Sequence, residues 1–117
     1  MPPDRPTGAR LTSAMLVGIL LRRSAAEGGF ITILVKGDEI SGSILIQALE
    51  KGRELGLFER VSDFAGGYSL TRCGPEPEKG AEAMAQYLAR RRRSDPDLWV
   101  IELDIADAER FAAETIC

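Results

Sequence analysis

The chain contains no histidine. That absence removes Ser-His-Asp and Cys-His nucleophile systems, His-based zinc sites, haem-His ligation and imidazole proton shuttles. Cysteine is scarce. Cys73 and Cys117 are the two present, far apart in sequence, which is too few for the disulfide framework of a small secreted domain. Lysine is scarce too, with three residues against twelve arginines. Long apolar runs are missing: Ala14 to Leu21 is the most apolar stretch and Gly18 interrupts it, whereas a membrane helix needs ~20 residues. The opening Met-Pro-Pro-Asp-Arg-Pro-Thr-Gly lacks the apolar core of a secretory signal. The absences lead to the expectation of a reduced, cytoplasmic protein with no membrane segment and no cofactor.

What is present fits one globular domain. The chain has 117 residues, 44% apolar and 28% charged, a globular balance rather than a disordered one. The formal net charge of −3 opposes general attraction to nucleic acid, although a local basic patch can hide behind it. Three of the six prolines fall in residues 1 to 10, which read as a flexible tail ahead of a domain over 11–117.

From Thr12 the apolar residues Met15, Leu16, Ile19 and Leu20 recur at helical spacing. Thr12 or Ser13 caps this helix, and Gly28-Gly29 stops it. The period then changes to that of strands. Phe30 to Lys36 is β-branched and almost continuously apolar, the pattern of a central strand. Ser43 to Leu49 alternates, and Lys51-Gly52-Arg53 turns the chain. Leu55, Leu57 and Val61 share one face of a third strand, with Phe58 and Arg60 opposite. Tyr68 to Cys73 forms a fourth. Short turns between these strands favour an antiparallel meander. After Gly74-Pro75-Glu76-Pro77, residues Ala81, Met84, Ala85 and Leu88 mark a helix running to about Arg93, which Asp95-Pro96 ends. Leu98 to Asp104 is a fifth strand, with Trp99, Ile101 and Leu103 on one face. Asp104 reads as the cap of a short last helix, Ile105 to Glu114. The order α-β-β-β-β-α-β-α gives an α+β fold, a single, mostly antiparallel sheet of about five strands with helices packed on one face.

Certain strings in this order resemble a known family. They are Leu20-Leu21-Arg22-Arg23 leading to Gly29-Phe30, then Lys36-Gly37-Asp38, then Gly42-Ser43-Ile44-Leu45-Ile46. Tyr87-Leu88-Ala89-Arg90 follows, and Asp95-Pro96-Asp97-Leu98-Trp99-Val100-Ile101-Glu102 is the most specific string. Together, over about residues 11 to 111, they resemble the small bacterial family of unknown function DUF1491. The resemblance implies a single-domain bacterial cytosolic protein and no particular activity. Glu50 to Gly67 and the arginines after Arg90 depart from the family pattern.

Three constellations remain as candidates. Arg90, Arg91, Arg92 and Arg93, with Arg22 and Arg23, are the candidate anion or nucleic-acid contacts, because arginine forks match phosphate geometry. Against this, four consecutive helical residues do not share a face, and arginine suits a last helical turn for dipole reasons alone. Asp95, Asp97, Glu102 and Asp104 are the weak candidates for Mg²⁺, with structural jobs in turns and caps as the competing reading. Trp99 reads as a core anchor, or as a partner hot spot if exposed. Cys73, with no histidine or second nearby cysteine, reads as an inert small residue. The leading expectation is a non-enzymatic interaction module that binds an unknown protein partner or self-associates through a sheet edge or through the short terminal helix. The alternatives are a nucleic-acid or phosphate-ligand binder using the arginines, and a Mg²⁺-dependent carboxylate enzyme.

Overall fold

A computed structural model describes residues 11–117; the expected tail lies outside them. Helix α1 (Ser13–Ala26) starts where Thr12 accepts a hydrogen bond from the backbone N–H of Met15 at 3.1 Å, satisfying one of the donors a helix start leaves orphaned. Two more, on Ser13 and Ala14, donate to the carbonyls of Ile40 and Glu39. Leu16, Val17 and Leu20 form its buried stripe.

The strands are β1 (Phe30–Val35), β2 (Ile44–Glu50), β3 (Arg53–Ser62), β4 (Tyr68–Cys73) and β5 (Trp99–Asp104). With α2 (Ala81–Ser94) and α3 (Ala108–Ile116) they complete the α+β fold in the expected element order. They form one five-stranded, mostly antiparallel sheet in the order β1-β5-β2-β3-β4. The meander holds from β2 to β4. It fails at β1, because β5 lies between β1 and β2, antiparallel to the first and parallel to the second. The link from Lys36 to Ser43 is therefore not a hairpin. It arcs over the start of β5, spanning two strand spacings of about 10 Å in all. Two glycines make that crossing feasible. A Cβ on Gly37 or on Gly42 would fall 2.2 Å from the carbonyl oxygen of Asp97.

β1 is thus an edge strand and not the central one its apolar run suggested. The strands buried on both faces are β5, whose Trp99, Val100, Ile101 and Leu103 are all buried, and β2, whose Ile44, Leu45, Ile46 and Ala48 are. On one face Ile44, Ile46, Ala48, Phe58, Trp99, Ile101 and Leu103 pack with α1 and α3. On the other, Leu45, Leu57 and Val100 pack with Met84, Tyr87 and Leu88 of α2. The helices therefore divide between the two faces.

A β-bulge breaks the expected alternation in β3. Ala48 pairs with Gly56 but Leu49 pairs with Glu54, so Leu55 is the extra residue. Leu55 consequently packs into the α1/α3 core, opposite Leu57. Gly56 has φ +133°, a conformation costly for any residue with a Cβ. The turn between β2 and β3 carries positive φ at Lys51 and Gly52, the geometry of a type I′ hairpin. Asp104 holds this turn, accepting from the N–H of Lys51 at 2.7 Å and of Gly52 at 2.8 Å. It is not the cap of the last helix; Asp107, in the left-handed conformation, holds that place. The second helix also begins later than its prolines suggested, after a 3-10 turn over Pro77–Lys79.

Candidate functional site

Arg22 and Arg23 end α1 on one face of the sheet, and Arg90 to Arg93 end α2 on the other. The sheet separates them, so the six arginines do not make one anion site. Arg23 is engaged locally, donating to Thr115 Oγ1 at 3.0 Å and lying over the Phe111 ring. Arg91 is engaged too, donating to Glu59 at 3.0 Å and to the Tyr87 hydroxyl at 2.9 Å. Burial opposes its charge, but the Glu59 carboxylate and Tyr87 outweigh that and hold its pKa above the ordinary value. Burial pushes the Tyr87 phenol and the Cys73 thiol of the same cluster up, so Cys73 is not poised as a thiolate.

Arg92 and Arg93 differ. They are exposed, make no ion pair among the described residues, and line an open cleft of about 490 Å³. Lys36, from the end of β1, lines the same cleft, as does Asp95. Val35 and Leu98 contribute apolar wall. The cleft thus gathers three cations and one carboxylate between the ends of α2 and β1.

The four candidate carboxylates are not gathered. Asp95 accepts from the Asp97 N–H at 3.1 Å in the turn before β5, and Asp104 sits at the far end of that strand, roughly 20 Å from Asp97 by strand rise. Among the described residues, no three Asp, Glu or Cys side chains group closely enough to hold a metal ion.

Trp99 is 3% exposed, and its indole N–H donates to the Asp38 carbonyl at 2.8 Å. Its burial removes it as a partner hot spot and makes it a core anchor. Around it the Lys36-Gly37-Asp38 string meets the turn and strand start at Asp97 to Trp99. The Asp38 N–H donates to the Asp97 carbonyl at 3.0 Å, and the Trp99 N–H to the Ser43 carbonyl at 2.8 Å. The Asp38 carboxylate accepts from the backbone N–H groups of Ser41 and Ile40, which hold its pKa below the usual carboxylate range.

A family model described as a protein of unknown function, DUF1491, matches residues 11–113. The chain belongs to the DUF1491 family. A crystal structure of a DUF1491 family protein from Caulobacter crescentus CB15 is similar at 27% identity and TM-score 0.74, over 86% of this chain and 94% of that one. The solution structure of protein Atu0922 from A. tumefaciens shares 33% identity at TM-score 0.63, over 82% and 86%. An NMR structure of a DUF1491 family protein, also from Caulobacter crescentus, shares 30% identity at TM-score 0.67, over 87% and 92%. A search of curated proteins found no match. In this DUF1491 chain, the hydrogen bonds among Asp38, Ser43, Asp97 and Trp99 hold the β1–β2 crossing in place over β5. No helix of the described residues is long and apolar enough to cross a membrane.

Sequence reasoning missed the surface of β1. Phe30 is 77% exposed, Leu34 45% and Ile33 39%. β1 and β4 are the two edges of the sheet. β4 carries Ser69, Thr71 and Arg72, whereas β1 carries no charge over Phe30–Val35. A strand with Thr32 as its one polar residue fits burial on both faces or cover by a partner, and local sequence does not separate the two.

Proposed function

We propose that this protein is a non-enzymatic interaction module that pairs with a second copy of itself along β1. The observation that carries this reading is an unpaired edge strand with exposed apolar side chains and no charge. Sheet edges normally carry charge, proline or cover against association. Antiparallel pairing of two identical strands is two-fold symmetric, so the same apolar patch serves both copies. A bulge at Leu34 confines the regular stretch to Phe30–Ile33, which favours a short, specific contact over open-ended stacking. Light scattering over a concentration series should show a monomer–dimer equilibrium, and Ile33→Lys should shift it to monomer. A wild-type chain that stays monomeric to millimolar concentration would sink this reading.

A second reading rests on the cleft of Lys36, Arg92 and Arg93. Cations from two elements around one opening suit a phosphate-bearing ligand or a nucleic-acid backbone. Fluorescence anisotropy of a labelled single-stranded oligonucleotide should rise on binding and fall with salt. Arg92→Ala with Arg93→Ala should lower the log–log salt slope by about 1.4, on the order of 0.7 per lost phosphate contact. Binding insensitive to salt, or unchanged in the double variant, would count against the cleft.

A further inference from the structure

Two neighbouring cavities open on the α1/α3 side of the sheet, where β3 and β4 meet the start of α1 and the end of α3. They measure about 360 and 290 Å³ and share Leu11, Leu16, Arg60 and Tyr68. Ile40 and Ile44 extend the apolar wall of the larger one. Its volume falls within the range of small-molecule sites, about 300–1,000 Å³. Leu11, Ile40 and Tyr68 are exposed, so this wall is open to an occupant.

Arg60 is the unusual member. It is half-buried. Its Nε donates to the Ile116 carbonyl at 2.7 Å, and its guanidinium lies 3.6 Å from the centre of the Tyr68 ring. These two contacts fix the plane of the group in advance. Among the described residues, its Nη1 and Nη2 make no hydrogen bond or ion pair. Arg91, half-buried on the other face, is matched by Glu59, as cations drawn out of water normally are. Arg60 keeps solvent-accessible surface and lines both cavities, so an occupant reaches its side chain. No Asp or Glu lines either cavity, although the chain has 18 acidic residues. The groove therefore offers one fixed cation with unengaged donors, apolar walls and no carboxylate.

We infer that this groove binds the carboxylate of a small apolar acid. Arg60 holds the carboxylate, and Leu11, Ile40 and Ile44 lie against the hydrocarbon chain. A planar carboxylate is satisfied by two parallel N–H groups of one guanidinium. A phosphate takes more donors, and the first N–H groups of α1 are already engaged, Ser13 with Ile40, Ala14 with Glu39 and Met15 with Thr12. Arg60 repels a cation. A neutral molecule of the same shape gains the apolar contact without the charge-assisted hydrogen bonds. Tyr68 belongs to β4, the edge of the sheet opposite β1, and the groove shares no residue with the basic cleft. The inference is thus independent of self-association along β1 and of phosphate binding.

The probe is sodium hexanoate, followed through the isoleucine methyl resonances of the full chain. Ile40 and Ile44 should show a saturable shift, while Ile33 on β1 should not move. Hexan-1-ol should bind about tenfold more weakly, the scale of one charge-assisted hydrogen bond, and inorganic phosphate should leave both methyls in place. Arg60→Gln should reduce the acid to the level of the alcohol. Ile40→Glu, at an exposed loop position on the wall, should weaken the acid more than the alcohol when read at Ile44, and it carries the test if Arg60→Gln does not fold. The inference is overturned by Ile40 and Ile44 shifts that do not saturate, by equal affinity for acid and alcohol, by phosphate binding as tightly as hexanoate, or by full-strength hexanoate binding in either variant.

Discussion

Gly37→Ala should lower stability by about 3 kcal/mol, beyond the usual range for a surface loop. The new methyl would sit 2.2 Å from the Asp97 carbonyl oxygen and 2.6 Å from the Trp99 ring. The first neighbour is backbone, in the turn that starts β5, and it cannot rotate away as a side-chain tip would. Relief requires the crossing loop to lift, which strips the Asp38 N–H from Asp97 and the Asp38 carbonyl from the Trp99 indole. Gly67→Ala is the matched control, since its methyl would meet nothing closer than the Asp63 carboxylate at 3.5 Å. Thermal unfolding followed by circular dichroism should drop by roughly 10 °C in Gly37→Ala and hardly change in Gly67→Ala. Equal midpoints in the two variants would mean that the close approach is not needed.

Trp99→Ala should have a similar or larger effect, about 3–5 kcal/mol. The ring is buried among Leu16, Leu20, Ile44 and Phe58 of one cluster, and its N–H is the donor for a loop carbonyl. Trp99→Phe separates the two contributions. It keeps most of the apolar volume and leaves the Asp38 carbonyl without its donor, at a cost of about 1–2 kcal/mol. Urea denaturation monitored by circular dichroism gives both values. A Trp99→Ala variant within about 1 kcal/mol of wild type would show that this residue does not anchor the core.

Much of the secondary structure was legible because its signals are local. The helix period from Met15 to Leu20, the Gly28-Gly29 stop, the Lys51-Gly52 turn and the alternation of Ser43 to Leu49 each follow from a few neighbouring residues. The strand order was not legible. Nothing within Phe30 to Lys36 states that its partner is Trp99–Asp104, more than half the chain away, and a continuous apolar run looks the same at an exposed edge as in a buried strand. The bulge in β3 was marked by Gly56, since a glycine inside a strand pattern is a bulge signal; read that way, it would have separated Leu55 from Leu57. For the candidate site, composition identified the arginines as the distinctive feature. It could not divide them between the two faces of the sheet, nor separate Arg91, committed to Glu59 and Tyr87, from Arg92 and Arg93. Asp104 reads as a helix cap from its place in sequence, but the groups it holds, the N–H of Lys51 and Gly52, come from a turn that only the parallel β2–β5 pairing brings near.

That parallel pairing also shapes how the molecule folds. The strand that lies between β1 and β2 is the last of the five in the chain, following α2. During synthesis, β1 to β4 emerge before the strand that joins them. The β2–β3–β4 hairpins close locally and fast, in about 1–10 μs. β1 has no place in the sheet until Trp99–Asp104 arrives, and the loop that carries Gly37 and Gly42 has nothing to cross until then. Until β5 inserts, β1 and β2 both present open edges. The late, long-range step is the slow one by contact-order reasoning, and it is the interval in which an apolar strand such as Phe30–Val35 is most open to pairing with the wrong neighbour.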